Sequence, residues 1–393
     1  MTLFKFNNKV KNICVVTGSR ADFGIINNLL KNLDTHKKSR IKLIVTGTHL
    51  MKNYGMTEKE INQNKLKIFE KVFIPEKNEK SFDIGNNSSI ILKKLAKIFE
   101  ILKPDLFIAI GDRYEMLISS YISTLFKVPI IHIGGGEQTE GSYDNQFRHS
   151  ISKMSSLHFV SHHTYKERLI KMGENPNSIY NYGSLAIDNL KRIKPLTKQE
   201  LEKKYRLDFK KKNFLVTFHP LTLDKNKSIK QFKQLIRAVL YFKNSNFIFT
   251  AANGDQDGGK INSLIQKYTK SYKNIFFVKS FGQKNYFSIL RQIDGVIGNS
   301  SSGIIEAPSF KIGTVNIGDR QKGRYKSKSI IDCKEGYNEI IKAIKKISSK
   351  DFRSSLKYIK NPFEKKNTLK KMIKKIHNYN YSLKKTFYEK YTS

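Results

Sequence analysis

The chain repeatedly alternates short apolar runs with helical patterns, and this alternation limits the folds that it can adopt. In the first half, the apolar runs lie at 13–16, 41–45, 106–110, 129–133 and 157–160. Apolar residues between them recur at helical spacing, as from Ile25 to Leu33 and from Ile91 to Leu102, ahead of Pro104. Continuous apolar strands separated by amphipathic helices predict a parallel sheet that helices cover on both faces.

The alternation restarts in the second half, after a charged stretch at 191–211. Further strands are predicted at 214–218, 247–250, 275–278, 295–297 and 314–317, with a helix between Ile229 and Val239. The length of 393 residues fits two domains better than one. We therefore predict an α/β protein with two Rossmann-like domains, at 1–188 and 189–364, and a cleft between them.

The last segment, 365–393, is basic, and Leu369, Met372 and Ile376 share one helical face of it. A helix that docks through this face, with its lysines in water, is the simpler interpretation; a helix lying on a membrane surface is the alternative. No stretch is apolar over the length of a membrane span, and the run at 13–16 is too short for a signal peptide. The only cysteines are Cys14 and Cys333, which favours a reducing cytoplasm.

The formal net charge is +40, which is compatible with a nucleic-acid or anionic-membrane partner. Of the 73 basic residues, however, only 12 are Arg, and the lysines are spread along the chain without a recognised nucleic-acid motif. A basic surface alone is weak evidence for nucleic-acid binding. We therefore expect neither a nucleic-acid nor a membrane partner.

Ligands of open parallel sheets bind beyond the carboxyl ends of the strands, so the loops after the apolar runs are candidate sites. In the first half, Arg20 could reach an anionic ligand, and Asp112 with Arg113 could supply a carboxylate and a cation. Three glycines at 134–136 let the backbone approach a ligand and lead to Glu137, with Asp144 where the next helix begins. The alternatives are structural: a surface ion pair for Asp112 and Arg113, and helix capping for Asp22 and Asp144.

The second half has two such loops. His219 follows the first strand, where a lone histidine is more often structural than catalytic. The small residues at 298–303 open a predicted helix that contains Glu306, and its N–H groups could bind a phosphate beside Arg320. Ile304 stands where a nucleotide triphosphatase has lysine, so that activity is not expected. Asp255 and Asp257 lack a third ligand, and we expect no metal.

Six segments, in this order, closely resemble the hydrolysing UDP-N-acetylglucosamine 2-epimerases of sialic-acid biosynthesis. They are VTGSRADFG at 16–24, GDRYE at 111–115, HIGGGE through DNQFRHSISK at 132–153, TFHP at 217–220, GNSSSG at 298–303 and NIGDRQKGR at 316–324. The resemblance implies the glycosyltransferase B arrangement, UDP held mainly by the C-terminal domain, a final helix that crosses back to the first domain, and a homo-oligomer, commonly a dimer.

The resemblance also implies roles for individual residues. Catalytic positions correspond to Asp112, Glu137, Asp144 and His219. Positions tied to the nucleotide sugar correspond to Arg20, Arg113, Asn253, Ser280, Ser300, Ser301, Glu306 and Arg320. Relatives often carry a second Asp where this chain has Asn145, which cannot act as a base, so Asp144 alone would fill any role that such a pair shares.

The implied reaction converts UDP-N-acetylglucosamine and water to N-acetylmannosamine and UDP by anti elimination through a glycal. It needs no redox cofactor, and the sequence has no dinucleotide-binding fingerprint. Three alternatives remain open: the same chemistry on UDP-N,N′-diacetylbacillosamine or GDP-N-acetylglucosamine on the way to legionaminic acid, sugar transfer by a glycosyltransferase of the same fold, and a non-enzymatic basic binding protein.

Overall fold

A computed structural model describes residues 10–76, 80–209, 211–221, 227–252 and 257–389. The chain divides into two compact units, and neither unit is one continuous stretch of sequence. Unit 1 comprises 1–137, 144–189 and 363–393, and unit 2 comprises 138–143 and 190–362. The C-terminal segment therefore belongs to the same unit as the first strands.

Unit 1 contains a seven-stranded parallel sheet. Its strands are β1 (Lys11–Thr17), β2 (Ser39–Val45), β3 (Ile68–Lys71), β4 (Leu106–Ile110), β5 (Ile130–Ile133), β6 (Leu157–Val160) and β7 (Ile179–Asn181), in the order β3-β2-β1-β4-β5-β6-β7. Its helices are α1 (Arg20–Asp34), α2 (Glu58–Gln63), α3 (Ser81–Leu102), α4 (Tyr114–Leu125), α5 (Asp144–Met154), α6 (His163–Lys171) and α7 (Leu185–Leu190).

Unit 2 contains a six-stranded parallel sheet. Its strands are β8 (Lys212–Thr217), β9 (Ser245–Thr250), β10 (Ile275–Val278), β11 (Gly295–Gly298), β12 (Gly313–Ile317) and β13 (Ile330–Cys333), in the order β10-β9-β8-β11-β12-β13. Its helices are α8 (Lys198–Tyr205), α9 (Ser228–Leu240), α10 (Gly258–Ser271), α11 (Gly282–Leu290), α12 (Ser302–Ile305), α13 (Tyr337–Ser348) and α14 (Lys350–Ser355); α15 (Thr368–Asn378) then returns to unit 1.

The apolar strands are buried from both sides, as the sequence predicts. In β8, Phe214 and Val216 belong to one apolar cluster, whereas Leu215 belongs to another on the opposite face. Alternate side chains of a strand point to opposite faces, so both faces of this sheet are covered by apolar side chains. The prediction of two parallel α/β sheets is confirmed.

Three strands were not predicted, and all three lie at sheet edges: β3 and β7 in unit 1, and β13 in unit 2. Their side chains are mostly partly or fully exposed, so they lack the continuous apolar run of a central strand. The charged stretch at 191–211 also contains a helix, α8. A capping box of Thr197 and Glu200 marks its start.

The C-terminal helix α15 buries Leu369, Met372 and Ile376 in the same apolar cluster as the β1 side chains Ile13 and Val15. The predicted apolar face therefore packs within unit 1. Every helix of the described residues is too short or too polar to cross a lipid bilayer.

Candidate active site

In unit 1, the loop after β4 presents Asp112, whose carboxylate oxygen Oδ2 accepts a hydrogen bond from Nη2 of Arg148. The side chain of Arg148 is 4% exposed and that of Asp112 is 20% exposed. The other oxygen, Oδ1, has no hydrogen-bond partner among the described residues. This carboxylate is therefore fixed at one oxygen and open at the other.

Helix α5 supplies Arg148 and two further polar residues on the same face. Asp144, Arg148 and Ser152 are spaced by four residues, so they form a stripe along the helix. Ser152 Oγ lies 2.9 Å from Nδ1 of the buried His132, and Nε2 of His132 lies 2.9 Å from the carbonyl oxygen of Gly111, next to Asp112. Helix α5 thus supports the Asp112 loop through two contacts.

Burial lowers the pKa of His132 to about 3, so its ring is neutral at physiological pH. A neutral ring has one N–H, which Nε2 can donate to the carbonyl of Gly111, while Nδ1 lies beside the Ser152 hydroxyl, which donates to the carbonyl of Arg148 at 3.0 Å. Gly111 has a positive φ of 76°, which suits glycine, and the histidine stabilises this turn. His132 is therefore a neutral support and adds no charge to the loop.

The two predicted arginines of unit 1 have acidic partners. Arg113 contacts Glu115, with Nε 3.2 Å from Oε2, and Glu115 is 1% exposed. Nη1 of Arg20 lies 3.9 Å from Oε1 of Glu60, and both side chains are about one-third exposed. The buried pair fixes Arg113 more firmly than the exposed pair fixes Arg20.

Glu137 follows the glycine loop after β5 and is partly buried; its Oε1 lies 3.4 Å from the hydroxyl of Ser161. Gly136 needs its glycine, because it has a φ of 74° and an added Cβ would overlap the carbonyl oxygen of Tyr165. The glycine loop thus passes close to α6 before it delivers Glu137. Asp144 and Asn145 open α5 and are both partly buried.

Asp22 is a further carboxyl group near the Asp112 loop. From the sequence alone, its expected role is to cap a helix. Its side chain accepts a hydrogen bond from the Ser19 hydroxyl at 2.6 Å, and a Cβ on Gly111 would lie 3.6 Å from its Oδ1. Burial raises the pKa of Asp22 to about 6, and the charges of Glu115 and Asp112 add to this rise. This carboxyl group is therefore positioned to titrate near neutral pH.

In unit 2, Asn299 connects the loops after β8 and β11. Its side chain accepts from the backbone N–H of His219 at 2.7 Å and donates to the carbonyl of the same residue at 2.8 Å. Its own carbonyl accepts from Arg320 Nη1 at 3.1 Å and from the buried side chain of Gln321 at 2.8 Å. Asn299 therefore connects His219 with the loop that carries Arg320.

Burial, with the positive charge of Arg320 as the smaller cause, holds the pKa of His219 well below its ordinary value. The imidazole is 9% exposed and neutral. It can therefore donate one hydrogen bond, while Arg320 supplies the positive charge in this part of unit 2.

The helix predicted after 298–303 is shorter than expected. It spans only Ser302–Ile305, and Glu306 follows its last residue instead of lying within it. Pro308 explains the early end, because proline cannot donate the next helical hydrogen bond. Ser300 Oγ accepts from the backbone N–H of Ser302 at 3.3 Å, and Ser301 is the N-cap residue.

Ser280 lies on a different loop from His219, Ser300 and Arg320. Ser280 is exposed on the loop after β10, where its hydroxyl accepts from the backbone N–H of Gly282 at 3.2 Å. Asn253 lies outside the described residues, as does Asp255 of the Asp-x-Asp pair. The structure thus groups His219, Arg320 and the residues around Ser300, and it places Ser280 on a different loop.

Sequence reasoning missed Arg148 and Asn299. The sequence could have indicated Arg148, because it lies four residues after Asp144, on the same face of a helix that begins at a candidate site residue. The indication for Asn299 is weaker: it is the first residue after β11, in the segment 298–303, whose glycines and serines predict a phosphate site.

Two Rossmann-like units, with charged loops after their central strands, define an α/β protein of the class whose ligands, often nucleotides, bind beyond the carboxyl ends of the strands. The family described as UDP-N-acetylglucosamine 2-epimerase matches residues 31–377, and the chain belongs to this family. The resemblance found in the sequence is thereby confirmed.

Among its relatives, the chain is 40% identical to a Campylobacter jejuni protein named GDP/UDP-N,N′-diacetylbacillosamine 2-epimerase (hydrolyzing), over 88% of this chain and 89% of that protein. It is 38% identical to the Escherichia coli polysialic acid biosynthesis protein P7, over 92% of each. Its fold is similar to the crystal structure of UDP-GlcNAc 2-epimerase from Neisseria meningitidis bound to UDP-GlcNAc, with a TM-score of 0.79 and 17% identity, covering 93% of this chain and 99% of that one.

Proposed function

We propose that this chain is a hydrolysing 2-epimerase that converts UDP-N-acetylglucosamine and water to N-acetylmannosamine and UDP. The observation that carries the proposal is the carboxylate of Asp112, which a buried arginine holds at Oδ2 while Oδ1 stays open. Such a carboxyl group is oriented and accessible, which are properties that a general base needs.

The chemistry requires more than one carboxyl group. The C2 hydrogen of the sugar is not next to a carbonyl, so its removal needs the C1–O bond to break in the same step. In this proposal Asp112 or Glu137 accepts the C2 proton while UDP leaves from C1, and a glycal forms. Asp144 then directs water to C1, and a second acid returns a proton to C2 from the opposite face. Each such group contributes about 10²–10⁴-fold.

UDP departure would depend on unit 2. Arg320 offers a cation that cannot lose its proton, and neutral His219 can donate a hydrogen bond to a phosphate oxygen. Asn299 fixes both groups through its side chain and its carbonyl. We propose that Ser300, Ser301, Glu306, Ser280 and Asn253 also bind the nucleotide sugar, as do Arg20 and Arg113 of unit 1.

A second sugar, N,N′-diacetylbacillosamine, is a candidate for the sugar of the substrate. The 40% identical relative is named for N,N′-diacetylbacillosamine and the 38% identical one for polysialic acid biosynthesis, so relatives support both substrates. Incubation with UDP-N-acetylglucosamine, UDP-N,N′-diacetylbacillosamine and the GDP-linked sugars, with NMR of the free product, distinguishes them. A glycosyltransferase would release no epimerised sugar in the absence of an acceptor.

The reaction is tested in deuterated, ¹⁸O-labelled water. The proposal expects deuterium at C2 and label at C1 of the product. Asp112→Asn should lower kcat by about 10²-fold or more, whereas Asp351→Asn, at an exposed position, should not. Retained C2 hydrogen, or unlabelled C1, would overturn the mechanism.

We further propose a homodimer or higher homo-oligomer in the cytoplasm, without a nucleic-acid or membrane partner. Both cysteines are unpaired thiols, which supports a reducing compartment. Light scattering during size-exclusion chromatography tests the dimer, and salt-sensitive DNA binding without UDP release would instead favour a basic binding protein.

A further inference from the structure

The end of α5 lies against the C-terminal residues of the chain. Lys385 Nζ donates to the carbonyl of Lys153 at 2.7 Å and to that of Ser152 at 3.4 Å. The carbonyl of Lys153 is one of the last four of the helix, which have no partner within it, whereas that of Ser152 also accepts from the backbone N–H of Ser155 at 3.1 Å. A lysine here also favours the negative end of the helix dipole. Lys385 therefore caps the helix that carries Asp144 and Arg148.

The same ammonium group contacts Glu174, with Nζ 2.6 Å from Oε2. Glu174 is 1% exposed and also contacts His158 Nε2 at 3.0 Å and Lys153 Nζ at 2.8 Å. We refer to Glu174, His158, Lys153 and Lys385 as the Glu174 network. Since a buried carboxylate is costly without cations, the network favours one fixed position for Lys385.

The residues that follow α15, 379–389, are anchored on both sides of Lys385. Before it, Tyr379 donates its hydroxyl to the carbonyl of Ser156 at 3.0 Å. After it, the backbone N–H of Tyr388 bonds to the carbonyl of Gly173 at 2.9 Å, and the ring of Phe387 packs on Gly173. Lys385 is thus delivered by an ordered segment, and its side chain is 28% exposed.

We propose that Lys385 is a positioning residue for the proposed reaction and acts through α5. The stripe of Asp144, Arg148 and Ser152 runs toward the helix end that Lys385 caps, and Arg148 and Ser152 support the Asp112 loop. A shift of α5 would therefore move the stripe and the Asp112 carboxylate together. Displacements of about 1 Å can cost about 10²-fold in rate.

The inference rests on the proposed function, and its test uses the full-length protein with three variants. Lys385→Met keeps most of the stem and removes the charge, Lys385→Arg restores a cation, and Lys384→Met is the matched control at an exposed neighbour. The measurements are kcat and KM for the sugar nucleotide, and amide hydrogen exchange of 144–154. If Lys385→Met does not fold, Lys385→Gln replaces it.

We expect Lys385→Met to lower kcat about tenfold with KM changed less than about twofold, to speed exchange in α5, and to be rescued by arginine. A folded Lys385→Met or Lys385→Gln variant with the wild-type kcat would overturn the proposal. If wild-type protein turns over no candidate sugar nucleotide, the proposed function fails, and hydrogen exchange alone decides: unchanged protection of α5 in the variant overturns the positioning role.

Discussion

Replacing Glu174 by Gln tests the electrostatics of the Glu174 network, because it keeps the shape of the side chain and removes its charge. Burial alone would raise the pKa of this carboxyl group. Hydrogen bonds from His158, Lys153 and Lys385 outweigh burial and hold the pKa at about 2, below its ordinary 4.5. A pKa lowered by folding stabilises the protein above the unfolded-state pKa, and this stabilisation is lost as the pH falls toward 2.

The expected size follows from the two pKa values. At about 1.4 kcal/mol for each pH unit between them, the ionised carboxylate contributes about 3 kcal/mol at pH 7. At pH 3, about one pH unit above the folded-state pKa, about 1.4 kcal/mol of this remains. The stability difference between wild type and Glu174→Gln should therefore shrink by about 2 kcal/mol between pH 7 and pH 3.

Urea unfolding followed by far-UV circular dichroism at several pH values measures this difference. Glu100→Gln, at an exposed position of α3, is the matched control and should follow wild type throughout. A difference between wild type and Glu174→Gln that stays constant from pH 7 to pH 3 would refute the reasoning, because the charge of Glu174 would then not be the stabilising feature.

Three further outcomes are expected. Arg148→Met should lower kcat more than Arg148→Lys, since methionine leaves the partly buried Asp112 without a cation; steady-state kinetics at saturating substrate measures this. Asp22→Asn should be more stable than wild type at pH 8 and equal to it below pH 4, because a pKa raised to about 6 makes ionisation of Asp22 destabilise the folded state as the pH rises to 6 and above; a difference in urea midpoint that is the same at pH 8 and at pH 4 would contradict this. Gly298→Ala should yield little folded protein, since Gly298 has a φ of 130° and an added Cβ would overlap the carbonyl oxygen of Thr217; a normal melting temperature would contradict this.

The sequence predicts central strands well because burial on both faces demands a continuous apolar run. Two of them, 106–110 and 157–160, have the predicted limits, as does β10 (275–278) at the edge of the second sheet. The edge strands β3, β7 and β13 have one unpaired side and exposed residues, so their pairing depends on a neighbour that local sequence cannot specify. Helix α8 could have been predicted from its capping box, without any apolar run.

The candidate site likewise contains residues that the sequence predicts and residues that it does not. Residues directly after a strand, such as Asp112 and His219, are predictable because the strand end fixes their place in the sheet. The partners of those residues are not, since Arg148 lies 36 positions after Asp112 and Asn299 lies 80 after His219. Contacts across such distances depend on how helices pack, which sequence spacing does not encode.

The neutral state of His132 bears on which group can accept a proton in unit 1. If this ring were protonated, a second cation would lie behind the Asp112 loop. With the pKa of His132 at about 3, Arg148 is the cation that contacts Asp112, at one oxygen only. Arginine does not release its proton, so it can orient the carboxylate through a hydrogen bond without transferring a proton to it. Orientation by arginine at Oδ2 and support by a neutral histidine thus leave Oδ1 of Asp112 open, as the proposed proton transfer requires.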